Sequence, residues 1–338
     1  MSTVLISDPT LRDGSHAVRH QLTREQMYNY MLIADAAGIP IIEVGHGNGL
    51  GASSLQLGES LVRDEEIFEL ASSTLRHTKI GIHVIPGVAT INDLKAALDL
   101  GVHVVRVASH CTEADITKRH IEYALDRGRE AYGVLMMSHM ASIELLTQEA
   151  LKMQSYGAHG VIIMDSAGVY LPEDVIERVK ALTGTINIPV GFHAHNNLGH
   201  AIANSVAALS GGARILDGTI RGFGAGAGNA QLEVLIAVLN RLGYTTNIDL
   251  SKLLEGANIA EKTIIEKVPT INSTSVISGL AGVFSGFAKP VELLSQKYNV
   301  DPHKVFMELG RRKIIAGQED MIIEVVHEIA ESEAVVSN

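Results

Sequence analysis

"GVIIMDSAGVYLPEDVIERVKALTGTINIPVGFHAHNN", Gly160–Asn197, is the stretch that decides the fold. It opens on one apolar run, "GVIIMD", and closes on another, "IPVGFHAH"; between them Pro172–Leu182 repeats its apolar residues at helical spacing. Apolar runs without polar alternation read as strands covered on both faces, and two such strands joined through a helix are parallel neighbours. Polar residues gather where the runs end: Asp165 and Ser166 after the first, His193 and His195 at the close of the second.

The same unit recurs in both directions. Further short runs are "TVLIS", "IPIIEV", "KIGIHVI", "HVVRVA", "AYGVLMM" and "ARILDG", and helix-period stretches lie at Thr23–Ala37, Thr90–Leu100, Glu113–Arg127, Ile143–Tyr156, Gly199–Leu209 and Gln231–Leu242. About eight strands alternating with amphipathic helices favour an α/β chain closed into a (β/α)8 TIM barrel, with a doubly wound open sheet as the alternative. In a barrel, catalytic groups collect where strands end. Here those ends carry Arg12, Asp13, Glu43, His46, Ser109, His110, Ser138, His139, Asp165, Ser166, His193, His195 and Asp217. Each alone is explained by the nearness of solvent; together they converge on one mouth.

After about Asp249 the rhythm changes to "LSKLLEGANIAEKTII", a Gly/Ser-rich "NSTSVISGLAGVFSGF", and helical "KPVELLSQKY", "DPHKVFMEL" and "EDMIIEVVHEIAES". The last puts Met321, Ile322, Val325, Val326 and Ile329 on one face. The expected division is a barrel over 1–250 and a C-terminal helical domain over 251–338, packed on the barrel or on a partner.

Composition sets outer bounds. With 46% apolar residues over 338, the chain is globular, and it has no apolar run of the roughly 18–20 residues a membrane span needs. "MSTVLISDPT" lacks the basic lead and apolar stretch of a secretory signal, and the single Cys111 excludes a cysteine zinc cluster, so a cytoplasmic location is expected. A net charge of -11 argues against nucleic acid as a partner.

"GFHAHNN" carries the sharpest chemical signal. Residues two apart on a strand share a face, so His193 and His195 point inward while Phe192 and Ala194 face the helices. Two imidazoles on one face suit a divalent metal, and equally a structural hydrogen-bonding pair. A first-row ion asks for a carboxylate beside them, and Asp13 in "DPTLRDGSHAVRHQ" is the candidate, since strands one and seven are separated only by strand eight. Arg12 then presents fixed positive charge and His16 exchanges protons, with Arg19 and His20 as supports; the alternative is a polar loop whose charges pair among themselves. A metal and an arginine could hold a 2-oxo acid and stabilise an enolate while a histidine acts on an alcohol proton, which describes an aldol reaction.

The glycine stretches Gly45–Ser54 and Gly222–Asn229 read as loops that shape the pocket; the second could bind an anion through backbone N–H groups, with Asn229 as a helix cap or an outer partner of the metal. Neither sits where a dinucleotide fold needs it. Cys111 has no activating neighbour in sequence, and Met136, Met137 and Met140 read as pocket wall.

"TLRDGSHAVRHQ", "EVGHGNGLGASS", "RVASHCTEAD", "MMSHM", "HAHNNLG", "GAGAGNA" and "GQEDMI" together resemble the 4-hydroxy-2-oxovalerate aldolases, the class II pyruvate aldolases of aromatic hydrocarbon catabolism, from the N-terminus to about Glu324. "LRDG" and "HxHN" alone are shared with the wider group of 3-hydroxy-3-methylglutaryl-CoA lyase and the isopropylmalate and homocitrate synthases. The resemblance implies cleavage of a 4-hydroxy-2-oxo acid to pyruvate and an aldehyde, and a divalent metal, usually manganese, with magnesium or cobalt as alternatives. It implies Asp13, His193 and His195 as metal ligands, Arg12 on the enolate, His16 as catalytic base and Ser166 on substrate. It also implies an acylating acetaldehyde dehydrogenase partner in an oligomeric assembly.

Two positions depart from the family pattern. Phe284 stands in "AGVFS" where the family has a substrate-contacting Tyr, and "HVIPG" replaces an apolar "LLLPG", bringing His83 towards the aldehyde tail. An altered aldehyde preference is therefore expected. The competing readings are an acyl-CoA condensing enzyme of the isopropylmalate synthase type, whose long regulatory region and CoA-binding features are not evident, and a non-catalytic partner of a dehydrogenase, which would have lost a metal or base residue.

Overall fold

Eight parallel strands close on themselves in chain order in the computed structural model, which describes residues 3–315 and 317–336. They are β1 (Leu5–Leu11), β2 (Ile41–Val44), β3 (Lys79–Val84), β4 (Val104–His110), β5 (Glu130–Met136), β6 (Val161–Asp165), β7 (Val190–Ala194) and β8 (Ile215–Asp217). β1 pairs with both β2 and β8, which shuts the barrel and rules out the open sheet. Around it run α1 (Arg24–Ala37), α2 (Asp64–Thr74), α3 (Ile91–Asp99), α4 (Lys118–Asp126), α5 (Ile143–Ser155), α6 (Pro172–Thr183), α7 (Ala201–Ser210) and α8 (Leu232–Arg241).

Local chemistry sets these boundaries. Thr23 caps α1 by accepting from Gln26 N at 3.2 Å while Gln26 Oε1 accepts from Thr23 N at 2.9 Å, and Gly38 ends the helix at φ 78°. Pro172 opens α6, where its missing N–H costs nothing. One element and the second half of another escape the sequence reading. β1 extends beyond "TVLIS" through Asp8, Pro9 and Thr10 because Asp8 points to the helix layer, where it accepts from the Tyr30 hydroxyl, and also accepts from Thr10 N at 2.9 Å. α2, after the glycine loop, shows too short an apolar stripe (Ile67, Phe68, Leu70, Ala71) to stand out beside its acidic first turn.

The core has two layers. Phe192, Ala194 and Ile163 face the helices, whereas Ile41, Val104, Ala108, Tyr132, Val134, Ile162, Met164 and Ile215 fill the barrel interior. α9 (Leu250–Thr263) sends Leu253, Ala257 and Ala260 into the outer layer against α1, close enough that a Cβ on Gly256 would meet Ile33 Cγ2 at 2.2 Å. A separate core joins α10 (Ser273–Leu280), α11 (Ala288–Tyr298), α12 (Pro302–Arg311) and α13 (Asp320–Val336), built on Phe287, Val291, Phe306, Leu309, Ile322, Val325 and Val326. No helix among the described residues is long and apolar enough to cross a membrane.

Candidate active site

β7 aims the two histidines. His193 Nδ1 donates to Asp217 Oδ2 at 2.8 Å, and His195 Nδ1 donates to the Asp165 carbonyl at 2.8 Å. Each bond settles the tautomer, leaving Nε2 as a lone pair. Both Nε2 atoms are buried and have no hydrogen-bond partner among the described residues; they face Asp13 Oδ2 at 3.8 and 3.9 Å. One ligand atom from each of the three residues lies within 4.8 Å of the other two. Two imidazole lone pairs and a carboxylate converging on a polar void are the donor set of a first-row divalent ion, so these residues fit such an ion.

Asp13 is placed by what surrounds it. β1 ends at Leu11, and a 3-10 turn over Asp13–Val18 swings the carboxylate over the mouth. Its Oδ2 accepts from Arg12 Nη1 at 2.8 Å; its Oδ1 accepts from Ala225 N at 3.2 Å and Asn229 Nδ2 at 3.1 Å. The glycine loop after β8 thus binds an anion as the sequence suggested, and the anion is this side chain. Gly224 must be glycine here, since a Cβ would come within 2.8 Å of Asp13 Oδ1 and 2.4 Å of Asn229 Nδ2. Asn229 acts as an outer partner and not as a cap, because Gln231 occupies the N-cap of α8.

Charge state follows from burial and neighbours. Burial works to raise Asp13, but Arg12 and the two imidazoles outweigh it and hold the carboxyl well below its usual range. Burial lowers His195 to about 4, so its ring is neutral at pH 7. Glu43 is also held down, to about 2, as Arg106 and Arg12 overcome the cost of burying it.

Beside the triad lies a cavity of about 200 Å³. Arg12, Asp13, His16, His83, Ser166, His195 and Phe284 line it, with Ile85, Met136, Met137 and Met164 as its apolar wall. Arg12 is gripped through Nε by Glu43 at 3.1 Å, and its buried Nη2 has no hydrogen-bond partner among the described residues. His16 lies flat over Gly47, where a Cβ would come within 2.6 Å of the ring, and meets His20 edge-on at 5.2 Å and Phe284 at 6.3 Å. Desolvation lowers His16 below its ordinary value, so it is a neutral acceptor at pH 7. His83 is buried, and its Nδ1 has no hydrogen-bond partner among the described residues.

An HMGL-like family profile matches residues 3–259, and a DmpG-like communication domain profile matches 269–331. The chain is 58% identical over 328 residues to a 4-hydroxy-2-oxovalerate aldolase of Pectobacterium atrosepticum, covering 97% of this chain and 96% of that one. It is 60% identical over 327 residues to one of Spirochaeta aurantia, covering 96% of each. The chain belongs to the 4-hydroxy-2-oxovalerate aldolase family. Among solved structures, this aldolase-family chain resembles the carboxyl transferase domain of Rhizobium etli pyruvate carboxylase with pyruvate, at TM-score 0.79 and 15% identity, covering 98% of this chain and 61% of that one. It also resembles the Bacillus subtilis HMG-CoA lyase, at TM-score 0.68 and 20% identity over 82% and 97%. These two likenesses concern the fold alone.

Not every polar strand end of this family member reaches the cavity. Ser138 donates to the Met164 carbonyl at 2.8 Å, His139 pairs with Gly282 O at 2.9 Å, and Asp165 accepts from Val169 N and Tyr170 N, so these build the rim. Asp165 is raised to about 6 by its burial. His46 and His20 stack at 3.6 Å, and Gly47 N donates to His20 Nδ1 at 3.3 Å, the support role expected of His20; Arg19 is exposed. His193 is not among the residues that line this cavity; its Nε2 faces Asp13 Oδ2 at 3.8 Å. Ser166 lines the cavity while its Oγ accepts from Met137 N at 2.9 Å. Burial raises the Cys111 thiol to about 12, and it donates to the Met137 carbonyl at 3.2 Å. Sequence reasoning passed over Arg106, although a lone charge inside "HVVRVA" was a visible signal, because an ion on an inward strand position needs a buried partner.

Proposed function

We propose that this chain carries out a metal-dependent retro-aldol cleavage of a 4-hydroxy-2-oxo acid, 4-hydroxy-2-oxopentanoate or a longer homologue, to pyruvate and an aldehyde, reversible as aldol addition. The single observation behind the reading is the pair of buried, unpartnered Nε2 atoms facing Asp13 Oδ2 at 3.8 and 3.9 Å. Asp13, His193 and His195 would hold the cation, which we take to be manganese. When bound, it supplies Lewis acidity to the 2-oxo oxygen, where enolate charge develops.

The chain's own residues do the rest. Arg12, locked by Glu43, points its free Nη2 at the cavity and stabilises the same developing charge. His16 accepts the C4 hydroxyl proton as the C3–C4 bond breaks; the oxygen becomes the aldehyde carbonyl and the bond electrons pass to the enolate. Protonation at C3 then gives pyruvate. Ser166 and Phe284 border the substrate, and Phe284 offers a ring without a hydroxyl, so product stereochemistry rests on shape alone.

The helical segment 269–331 is read as the contact for an acylating acetaldehyde dehydrogenase that consumes the aldehyde within an oligomeric complex, in the cytoplasm, as part of aromatic hydrocarbon catabolism. The match to a communication domain and the exposed Leu280, Leu293 and Met307 support that division of labour between barrel and tail. The test is to strip the protein of metal, add 4-hydroxy-2-oxopentanoate and follow pyruvate. Release on adding manganese is expected, and no metal-dependent release would defeat the proposal.

A further inference from the structure

Arg106 is a charge where the barrel calls for a hydrocarbon. It lies on β4 between Val104 and Ala108, two inward residues that belong to the apolar interior, and it is 2% exposed. Burying an ion there carries a desolvation cost that an aliphatic side chain avoids. Its guanidinium crosses the barrel to three other strands: Nη1 donates to Ser7 Oγ on β1 at 3.3 Å and to Glu43 on β2, and Nη2 donates to Asp217 Oδ2 on β8 at 2.7 Å.

Both carboxylates it grips have second duties. Glu43 Oε2 accepts from Arg12 Nε at 3.1 Å, and Asp217 Oδ2 accepts from His193 Nδ1 at 2.8 Å. Arg12 Nη1 in turn reaches Asp13 Oδ2 at 2.8 Å, and Asp13 Oδ2 faces His193 Nε2 at 3.8 Å. The six side chains form a closed ring, Asp13, Arg12, Glu43, Arg106, Asp217 and His193. Carboxylates and guanidiniums alternate around it from Asp13 to Asp217, and His193 closes it with Nε2 facing Asp13 Oδ2. The ring sets three carboxyl groups against two guanidiniums, and the Asp13–His193 edge is where a cation would be held. Ser7 hydroxyl, donating to Glu43 Oε1 at 3.3 Å, is the neutral brace of the arrangement.

We propose that Arg106 is a positioning residue: by clamping Glu43 and Asp217 together across the barrel, it sets the aim of Arg12 and the orientation of His193, and so determines how tightly the site holds a divalent cation. This rests on the reading that Asp13, His193 and His195 are the ligands. Outer partners that orient metal-binding histidines typically change metal affinity 10- to 100-fold when removed.

The test uses the full chain, stripped of metal, with manganese alone as the probe. Arg106→Lys keeps the charge but replaces a fork with a point donor unable to hold both carboxylates. Weakening of manganese binding by about 10-fold or more is expected, with a cooperative melt retained. Nitrogen NMR of the metal-free variant should show His193 losing its uniform Nδ1–H tautomer. Manganese affinity and tautomer both unchanged from wild type would reduce Arg106 to scaffold and overturn the inference. Should Arg106→Lys fail to fold, Arg106→Gln is read the same way. The unmodified protein tests the clamp independently of either variant, since an Nε2–H tautomer of His193 in the metal-free wild type contradicts it. Absence of manganese binding in the wild type would instead count against the ligand set, with the variant tautomers still deciding Arg106.

Discussion

At the barrel mouth Arg12, Asp13, Glu43, Arg106 and Asp217 are each at most 3% exposed, whereas the described residues of α10–α13 bury serines such as Ser275 and Ser295 but no charged side chain. Both regions leave some large hydrophobics more than half exposed, Leu55, Leu61 and Leu242 in the barrel and Leu280, Leu293 and Met307 in the helical region, so it is the buried charge that sets them apart. The difference separates two tasks. Buried charge is stable only when every member has its partner at hydrogen-bond distance, so the mouth is a fixed array in which one change is felt by all. The helical region is held by apolar packing, which tolerates volume-conserving change and offers surface to another body.

The two regions meet at few points, and these bear on the cavity. Ser285 N and Oγ both donate to the Ser166 carbonyl at 3.0 Å, Ser285 Oγ also lies 3.0 Å from Asn197 Oδ1, and Asn197 Nδ2 donates to Ser275 O at 3.3 Å. Through this clasp Phe284, a residue of the helical region, becomes a wall of the barrel's cavity.

The contrast can be broken from its strongest side first. Asp13→Asn keeps shape and removes one charge of the array; kcat for pyruvate release should fall by about 10³-fold or more, some 4 kcal/mol of barrier, with the fold intact by circular dichroism. A loss under tenfold would show the array to be dispensable. Phe306→Ala empties the centre of the helical core and should cost about 3–5 kcal/mol, seen as an early separate transition in urea, while manganese affinity stays within about twofold. A single transition that takes metal binding with it would mean the two regions are one unit.

Smaller effects sharpen the picture. The unpartnered Nδ1 of His83 gives the aldehyde side of the cavity a polar group, so His83→Leu should shift kcat/KM about 10-fold away from hydroxylated aldehydes and towards alkyl ones in the addition direction. An unchanged ratio across short, long and hydroxylated aldehydes would place His83 outside the substrate's reach. Ser285→Ala cuts the hydroxyl half of the clasp and leaves its backbone bond; a stability loss of about 0.5–1.5 kcal/mol and a slightly raised KM are expected from thermal melts and steady-state kinetics. A large drop in kcat there would give the clasp a catalytic weight that the comparison denies it.

How much of this was legible depended on the kind of signal. Apolar runs and helix-period stretches carried the barrel, because burial on two faces leaves a pattern in one dimension. The "HAH" spacing carried the histidine pair for the same reason, since a strand repeats every second residue. Apart from Asp13 facing the two histidines, the relations across the barrel stayed hidden. Nothing in "HVVRVA" says that Arg106 will meet Asp217, 111 positions away, or that Ala225 N will end on Asp13. The first strand was read from "TVLIS", but its continuation through "DPTL" was hidden because Asp8 is satisfied by Thr10 and by Tyr30, whose position only the closed fold supplies. α9 read as part of the tail, yet Gly256 lets it settle against Ile33 in the barrel's outer layer.

Electron spin-echo modulation of manganese bound to the metal-stripped wild type addresses the central claim most directly, because nitrogen-14 couplings count the imidazoles touching the ion. One manganese per chain with two imidazole nitrogens, reduced to one in His195→Ala, is the expected result. Manganese bound without nitrogen coupling, or no specific site at all, would contradict the account.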